Sequence, residues 1–362
     1  MNLRTLSIWL GSLLISASVL TGCAVIPGDI DYKGPPPRPQ SVVDYYNYDS
    51  KHPYSNWTEE VKKKRERYTM KEVVIDTTFG QVTVDYYQRK EPTTDLILIF
   101  PILGGKHLIE SHFARYFALR GFDTAIVHRD KEFKRPEQFD NLEEIFRRNA
   151  IRDRIAIDFF EREYGKKQFG SFGISRGGIN VAITAGVEPR LKFNVIALGG
   201  SHLVKVFRDS SERGVGRYRK RVQAAKNIDK TEFFDQLEEN LKTDPKTLAK
   251  YIDARDTLMF LGLFDTSVPI KYGMRLREQI GHPRTAIMFS GHYTGILFTQ
   301  FLSLLPPSET FCIIPFDFIE SESLAFYYRA FNTQRRSLRY VPIKILQLPI
   351  EILGQLYWAL WD

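Results

Sequence analysis

Residues 71–302 alternate short apolar segments with longer segments of helical periodicity, and this alternation constrains the fold more than any other feature. Residues 96–100 are apolar at every position, which is typical of a strand buried on both faces of a sheet. In a longer segment, Leu142, Ile145 and Phe146 stand three and four positions apart, on one face of a helix. Strands that alternate with helices form parallel sheets with right-handed crossovers. The sequence therefore predicts an α/β fold with a doubly wound, mostly parallel sheet.

The predicted strands cover residues 73–75, 82–87, 96–100, 123–128, 168–174, 193–198, 257–264 and 285–289, and the predicted helices cover 108–120, 141–164, 176–186 and 270–280. Residues 208–256 interrupt this alternation with charged helical sequence that is basic in its first half and acidic in its second. Charge runs are usually the solvated faces of helices. The position of this insertion, between two core strands, is also that of a helical lid.

A Gly-x-Ser-x-Gly pattern, from Gly173 to Gly177, follows a predicted strand and opens a predicted helix. A serine at such a junction occupies a sharp, strained turn, and the flanking glycines keep side chains out of the crowded backbone. The pattern alone arises by chance in about one chain in ten of this length, given the ordinary frequency of glycine. Its position distinguishes Ser175 from Ser171 and Ser201, which lack this setting. Ser175 is therefore the candidate nucleophile.

An acid and a base follow Ser175 in the chain. Asp265 and His292 each come just after a predicted core strand, whereas His282 and Asp256 precede theirs. Ligands of open α/β sheets bind at the carboxyl ends of the strands, where Ser175, Asp265 and His292 would meet. In a triad of this kind the histidine takes the serine proton, while the aspartate fixes the histidine tautomer.

With these motifs, residues 71–302 resemble the α/β-hydrolase superfamily in strand order, in the nucleophile elbow, in an Asp-x-x-Val-Pro loop and in a Gly-His loop. The chain order serine, aspartate, histidine is also that of this superfamily. The resemblance implies a serine hydrolase in which Ser175 is the nucleophile, His292 the base and Asp265 the orienting acid. Such enzymes work through a covalent acyl-enzyme that water then hydrolyses.

The resemblance also implies an oxyanion hole, made by the backbone N–H groups of Leu103 and Arg176. Gly173 and Gly177 would form the nucleophile elbow. Many relatives carry His-Gly where this chain has Pro-Ile at residues 101–102.

The first residues have the features of an export signal. Residues 1–22 contain one charge, Arg4, and the apolar run 8–20, which as a helix spans about 20 Å and is too short for a ~30 Å bilayer core. The run ends in Leu-Thr-Gly-Cys23, which resembles the bacterial lipobox, and the alternative is an ordinary signal with a coincidental cysteine. The resemblance implies acylation of Cys23 and a periplasm-facing, lipid-anchored protein of the bacterial cell envelope. Ala24 favours the outer over the inner membrane.

These features predict four regions. They are a lipoprotein signal peptide at 1–22, a tether at 23–70, an α/β-hydrolase domain at 71–305 and a C-terminal extension at 306–362. The extension ends in an apolar, aromatic segment that follows basic residues, which suits an amphipathic tail at a membrane interface. Packing of this segment on the domain is the alternative.

The net charge of +8, from 51 basic and 43 acidic residues, is compatible with an anionic partner. The export signal argues against nucleic acid, and the two cysteines and seven histidines do not cluster as metal ligands. We therefore expect no nucleic acid, no metal and no cofactor. The expected substrate is a small-molecule or lipid ester, and the basic half of the insertion favours an anionic one. Two alternatives stay open: an amidase or peptidase with the same triad, and a non-catalytic envelope-binding lipoprotein on the same fold.

Overall fold

One mixed sheet organises the protein. The computed structural model describes residues 23–102, 108–129, 131–295 and 318–333, and within them ten strands form one sheet in the order β1-β10-β9-β8-β7-β5-β6-β4-β3-β2. The strands are β1 (Cys23–Ile26), β2 (Asn56–Lys64), β3 (Tyr68–Asp76), β4 (Val82–Arg89), β5 (Asp95–Phe100), β6 (Asp123–Val127), β7 (Gln168–Ile174), β8 (Leu191–Ala197), β9 (Thr257–Gly262) and β10 (Arg284–Met288). β5 to β10 are parallel, whereas β1 to β4 pair antiparallel at the two edges.

The helices are α1 (Gln40–Tyr45), α2 (Leu108–Ala118), α3 (Leu142–Tyr164), α4 (Arg176–Val187), α5 (Leu203–Asp209), α6 (Arg213–Lys226), α7 (Lys230–Asn240), α8 (Pro245–Leu248), α9 (Ile270–Ile280) and α10 (Phe318–Ala330). Short 3₁₀ turns cover Glu132–Lys134, Pro136–Gln138, Ala249–Tyr251 and Ala254–Asp256. The predicted doubly wound α/β architecture is confirmed. No helix in the described ranges is both long and apolar enough to cross a bilayer.

The core lies on both faces of the sheet, because successive side chains of a strand point to opposite faces. In β5, Ile97 and Ile99 pack in the same cluster as residues of α2 and α10. Leu96, Leu98 and Phe100 pack instead with residues of α3, α4 and α9. Neither face of β5 meets water, which explains why its sequence is apolar without alternation.

The predicted tether at 23–70 is wrong, because most of this segment belongs to the folded domain. β1 pairs with β10 at one edge of the sheet, and β2 and β3 extend the other edge. Tyr46 is buried, and the Arg38 guanidinium donates hydrogen bonds to the carbonyl oxygens of Gly186 (2.7 Å) and Ala185 (2.9 Å). Carbonyls at the end of a helix lack partners within it, so Arg38 pairs with them and complements the negative end of α4.

The predicted domain boundary at residue 305 is also wrong, because α10 packs into the core. Tyr327 is fully buried, and its hydroxyl donates to the carbonyl oxygen of Ser171 in β7 at 2.7 Å. Arg284 of β10 donates to the buried carboxylate of Glu322 at 2.7 Å. α10 is therefore part of the layer that covers one face of the sheet. The predicted signal peptide and the tail from residue 334 onward lie outside the described residues.

The insertion between β8 and β9 is helical, and it contains α5 to α8 with two 3₁₀ turns. In α6, which carries the basic run, Val222 is the buried residue and the other side chains reach solvent. The basic run is therefore a solvated helix face. That this insertion acts as a lid stays a prediction.

Candidate active site

Ser175 occupies a strained turn between β7 and α4. Its backbone has φ 57° and ψ −120°, a conformation that L-residues rarely adopt and that costs about 1–3 kcal/mol. The Ser175 N–H donates to the carbonyl oxygen of Ala197 at 2.8 Å, and its own carbonyl accepts from Ile179 at 3.1 Å. These bonds tie the turn to the neighbouring strand and to the helix, so the hydroxyl is held at the carboxyl edge of the sheet.

The flanking glycines are required by close backbone approach. A Cβ atom on Gly173 would lie 2.3 Å from the carbonyl carbon and oxygen of Gly177. A Cβ atom on Gly177 would lie 2.2 Å from the carbonyl oxygen of Phe100 in β5. Any larger residue would force the backbone apart, because carbonyl groups cannot move as a flexible side chain does. The two glycines therefore allow the sharp turn that the pattern predicts.

His292 connects Ser175 to Asp265 in one hydrogen-bonded chain. The Nε2 atom of His292 lies 2.8 Å from Ser175 Oγ, and its Nδ1 atom lies 2.7 Å from Asp265 Oδ2. The three residues follow β7, β9 and β10, all at the carboxyl ends of parallel strands. The structure thus brings together the three residues predicted as the triad. With a proton on Nδ1, Nε2 is free to accept the serine proton.

The Asp265 carboxylate is fixed by the loop that follows it. Its Oδ1 atom accepts hydrogen bonds from the N–H groups of Ser267 (2.9 Å) and Val268 (2.8 Å), and the residue is 6% exposed. Because Oδ1 is engaged, Oδ2 is the oxygen presented to His292. Pro269 ends this loop and precedes α9. The Asp-x-x-Val-Pro motif therefore holds the carboxylate in one orientation.

One of the two predicted oxyanion donors, the Arg176 N–H, lies within the described residues. Arg176 is the first residue of α4, so its N–H has no acceptor within the helix and lies at the positive end of the helix dipole. Leu103, the second predicted donor, lies outside the described residues. The chain that leads to it is anchored, because the N–H of Ile102 donates to Glu110 Oε1 at 2.8 Å. Glu110 is 3% exposed, and this anchor was not anticipated from the sequence.

A cavity of about 370 Å³ opens beside His292. It is lined by Ser211, Glu212, Arg213, Phe264, Thr266, Ser267, Gly291, His292, Tyr293 and Thr294. The Tyr293 hydroxyl donates to Glu212, and this bond lowers the pKa of Glu212 and raises the pKa of Tyr293 to about 12. The start of α6 thereby contacts the histidine loop. A larger cavity of about 720 Å³ beside the turn between β3 and β4 contains no triad residue.

The other described histidines contact different partners. The ring of His112 contacts Glu320 of α10 at 2.8 Å, and the ring of His202 contacts the Ser201 hydroxyl at 3.0 Å. His282 contacts Arg277 and precedes β10, so it lies at the amino end of that strand and away from the triad. Within the part of the chain that the structure describes, no group of three or more potential ligands can hold a metal ion.

Solved structures share this fold. An acetyl xylan esterase from Thermoanaerobacterium sp. JW/SL YS485 is 16% identical, with a TM-score of 0.55 over 72% of this chain and 91% of that chain. An acetyl xylan esterase from Paenibacillus sp. R4 is 16% identical, with a TM-score of 0.54 over 70% and 87% of the two chains. Acylaminoacyl peptidase from Pyrococcus horikoshii is 16% identical, with a TM-score of 0.50 over 64% of this chain and 39% of that chain. No protein-family model and no curated protein matches the chain.

At this identity the similarity establishes the fold. Together with the strand order and the serine turn between β7 and α4, it shows that the chain has the α/β-hydrolase fold. The expected fold class is therefore confirmed, whereas the fold alone does not determine the chemistry.

Proposed function

We propose that the protein is a serine hydrolase that cleaves a carboxylic ester through an acyl-enzyme. The observation that carries this proposal is the hydrogen-bonded chain from Ser175 through His292 to Asp265, built on a serine with positive φ. A side chain held in a strained backbone conformation at the edge of a sheet has no evident role in packing. Strain of this kind is found where a fold maintains a reactive geometry.

The reaction follows from the distances. His292 Nε2 removes the Ser175 hydroxyl proton as Oγ attacks the ester carbonyl carbon, and the carbonyl oxygen becomes an oxyanion. The Arg176 N–H and the start of α4 stabilise that charge, with Leu103 as the second expected donor. Collapse of the intermediate breaks the bond to the alcohol oxygen, which takes the proton from His292. Water, activated by the same histidine, then releases the acid from Ser175.

Asp265 stabilises the charged histidine without taking its proton. Its Oδ2 atom accepts the Nδ1–H of His292, which leaves Nε2 as the basic nitrogen. Because two N–H groups also hold the carboxylate, its orientation does not depend on His292. The catalytic geometry is therefore assembled before substrate binds.

One observation supports ester cleavage over amide cleavage as the proposed reaction. Two structural neighbours, with TM-scores of 0.55 and 0.54, are acetyl xylan esterases. The acylaminoacyl peptidase neighbour supports a second candidate, an amidase or peptidase with the same triad. The same motifs and the same three residues would serve either reaction, since the specificity for acyl and leaving groups lies in the cavity walls.

Assays of the purified protein test both candidate reactions, with a 4-nitrophenyl ester for the esterase and the matching 4-nitroanilide for the amidase. We expect the wild type to hydrolyse the ester, Ser175→Ala to lose that activity by at least about 10³-fold, and Ser211→Ala to retain it. Ser211 is the matched control because it lines the same cavity without contacting His292. Hydrolysis of the anilide alone would favour the amidase, and an active Ser175→Ala would contradict the proposed nucleophile.

We further propose that the protein is anchored in the bacterial envelope through acylated Cys23, facing the periplasm and favouring the outer membrane. The lipobox-like sequence supports this anchor. The sheet register also shows where Cys23 lies relative to the triad. Cys23 pairs with Met288, the last residue of β10, four residues before His292. Paired Cα atoms lie about 5 Å apart and four residues span at most about 14 Å, so Cys23 lies within about 20 Å of His292. An acyl anchor would hold the catalytic edge against the membrane.

Exposed aromatic side chains at this edge fit the same orientation. Phe264, Phe289 and Tyr293 are 63%, 50% and 68% exposed, and each adjoins a strand end or triad residue. Metabolic labelling with an alkyne fatty acid tests the anchor on the full chain. We expect Cys23→Ser to lose the label and Cys312→Ser, which alters the other cysteine, to keep it. A label that persists in Cys23→Ser would refute the anchor.

A further inference from the structure

The Arg176 side chain, next to the nucleophile in sequence, packs against two aromatic rings. Its guanidinium carbon is 4.7 Å from the centre of the Phe133 ring and 4.4 Å from the centre of the Phe146 ring. Among the described residues, no hydrogen bond or ion pair involves this guanidinium. Cation–π contacts with two rings offset only part of the cost of removing a charge from water.

The carboxylates of Asp153 and Glu132 pair with other side chains. Asp153 accepts from Arg129 at 2.6 Å and from the Thr184 hydroxyl at 2.7 Å, and Glu132 pairs with Arg148. Neither carboxylate forms a hydrogen bond or an ion pair with Arg176. Among the described residues, no carboxylate therefore compensates the positive charge of Arg176.

A second cation lies against the same ring, because Lys134 Nζ is 5.6 Å from the centre of the Phe133 ring. Burial, with the charges of Lys131 and Arg176, lowers the pKa of Lys134, a half-buried residue with no acidic partner in the described chain. Burial and the neighbouring Arg129 lower the pKa of Arg176 to about 10, so the guanidinium keeps its charge at neutral pH. Arg176 and Lys134, which have no carboxylate partner among the described residues, would together attract an anion.

We propose that Arg176 and Lys134 form a subsite for an anionic group on the acyl part of the substrate. This inference rests on the proposed ester hydrolysis and specifies its substrate class. Consecutive Cα atoms are about 3.8 Å apart, so the Arg176 side chain starts directly next to Ser175. A carboxylate or phosphate a few bonds from the scissile carbonyl would reach the guanidinium while that carbonyl contacts Ser175.

The strand order assigns the anion to the acyl side. Arg176 follows β7 and extends toward Phe133, which lies in the turn after β6. In the sheet, β5 and then β6 lie on one side of β7. His292, which protonates the leaving alcohol, follows β10 on the other side of β7. The alcohol therefore departs toward β10, and the group that faces Arg176 belongs to the acid.

Matched esters test this subsite. One substrate is the 4-nitrophenyl ester of adipic acid with its second carboxylate free, and the other carries that carboxylate as a methyl ester. We expect wild type to prefer the free carboxylate in kcat/KM, and Arg176→Met to reduce this ratio about 10- to 100-fold. Lys134→Met should reduce it by a smaller factor, Arg176→Lys should restore part of it, and Arg135→Met should leave it unchanged. Arg135 is the matched control, since it is an exposed cation of the same segment.

Each outcome bears on one claim. Equal kcat/KM values for the two esters in wild type would overturn the subsite and leave the hydrolase proposal standing. Failure to hydrolyse either ester, or any simple ester, would count against the hydrolase itself. A hexanoyl ester of 4-hydroxybenzoate carries its charge on the alcohol side. A preference for this ester, abolished by Arg176→Met, would overturn the acyl-side assignment.

Discussion

Replacing Asp265 by asparagine tests how the carboxylate controls the histidine. The asparagine oxygen would keep the Oδ1 position, where it accepts from Ser267 and Val268. Its amide nitrogen would then take the Oδ2 position, 2.7 Å from His292 Nδ1. Because that nitrogen donates, Nδ1 becomes the acceptor and the ring proton moves to Nε2, 2.8 Å from Ser175 Oγ. His292 then cannot accept the serine proton.

The expected loss is large in rate and small in stability. Blocking the base by the wrong tautomer lowers kcat by about 10⁴-fold, equivalent to about 5 kcal/mol of transition-state stabilisation. The loop hydrogen bonds persist, so the free energy of unfolding should change by less than about 1 kcal/mol. Asp265→Ala removes the acceptor of two buried N–H groups, and its free energy of unfolding should fall by about 1–3 kcal/mol.

Single-turnover kinetics on a 4-nitrophenyl ester, with urea denaturation of each variant, measure both quantities. Asp256→Asn is the control, because Asp256 immediately precedes β9 whereas Asp265 follows it. A loss in kcat below about tenfold for a folded Asp265→Asn would refute the assigned role of Asp265.

Three further predictions follow from the structure. Gly177→Ala places a Cβ 2.2 Å from the Phe100 carbonyl oxygen, and urea denaturation should show a loss of at least about 3 kcal/mol or no folded protein. Glu110→Gln weakens the charge-assisted hydrogen bond from Ile102, and kcat on a 4-nitrophenyl ester should fall about tenfold while the melting temperature changes little. Burial lowers the pKa of His202, so its contribution to stability is complete above its unfolded value of about 6.5 and is lost as pH falls through the folded pKa. His202→Asn, which tolerates the φ of 63° at this position, should therefore flatten the fall in unfolding free energy as the pH drops below about 6.5.

Each prediction has a control or a contrary result. Gly214→Ala should be tolerated, because a Cβ there meets only Glu212 side-chain atoms at 3.6 Å and 4.0 Å. An unchanged kcat in Glu110→Gln would show that this carboxylate does not position the loop before α2. A pH dependence in His202→Asn equal to that of wild type would place the titration elsewhere.

The central strands and the triad could be predicted from sequence because their signals are local. A strand buried on both faces is an unbroken apolar run, as β5 shows, and a helix behind it keeps one apolar face. The serine turn requires glycines at fixed spacing, and the acid and base follow strand ends that the same apolar runs reveal. Ser175, Asp265 and His292 were therefore identifiable, although their roles stay predictions.

The sheet edges could not be predicted because their residues look like linker. β2 is exposed at nearly every position and carries Glu and Lys side chains. Charged edge strands of this kind avoid pairing with other chains, and they lack the alternation that marks a half-buried strand. The buried carboxylates of α10, such as Glu322, likewise conceal a core helix, since their burial depends on a distant partner, Arg284. No local pattern reports such a partner.

Labelling with a fluorophosphonate probe tests the central claim most directly, because the probe reacts much faster with an activated serine than with an ordinary one. The labelled protein would be weighed intact, and the adduct assigned by peptide mass spectrometry. We predict one adduct per chain, on Ser175, absent from Ser175→Ala and strongly slowed in a folded His292→Ala. An unlabelled wild type that is folded and monodisperse, or an adduct on another serine, would contradict the proposed active site.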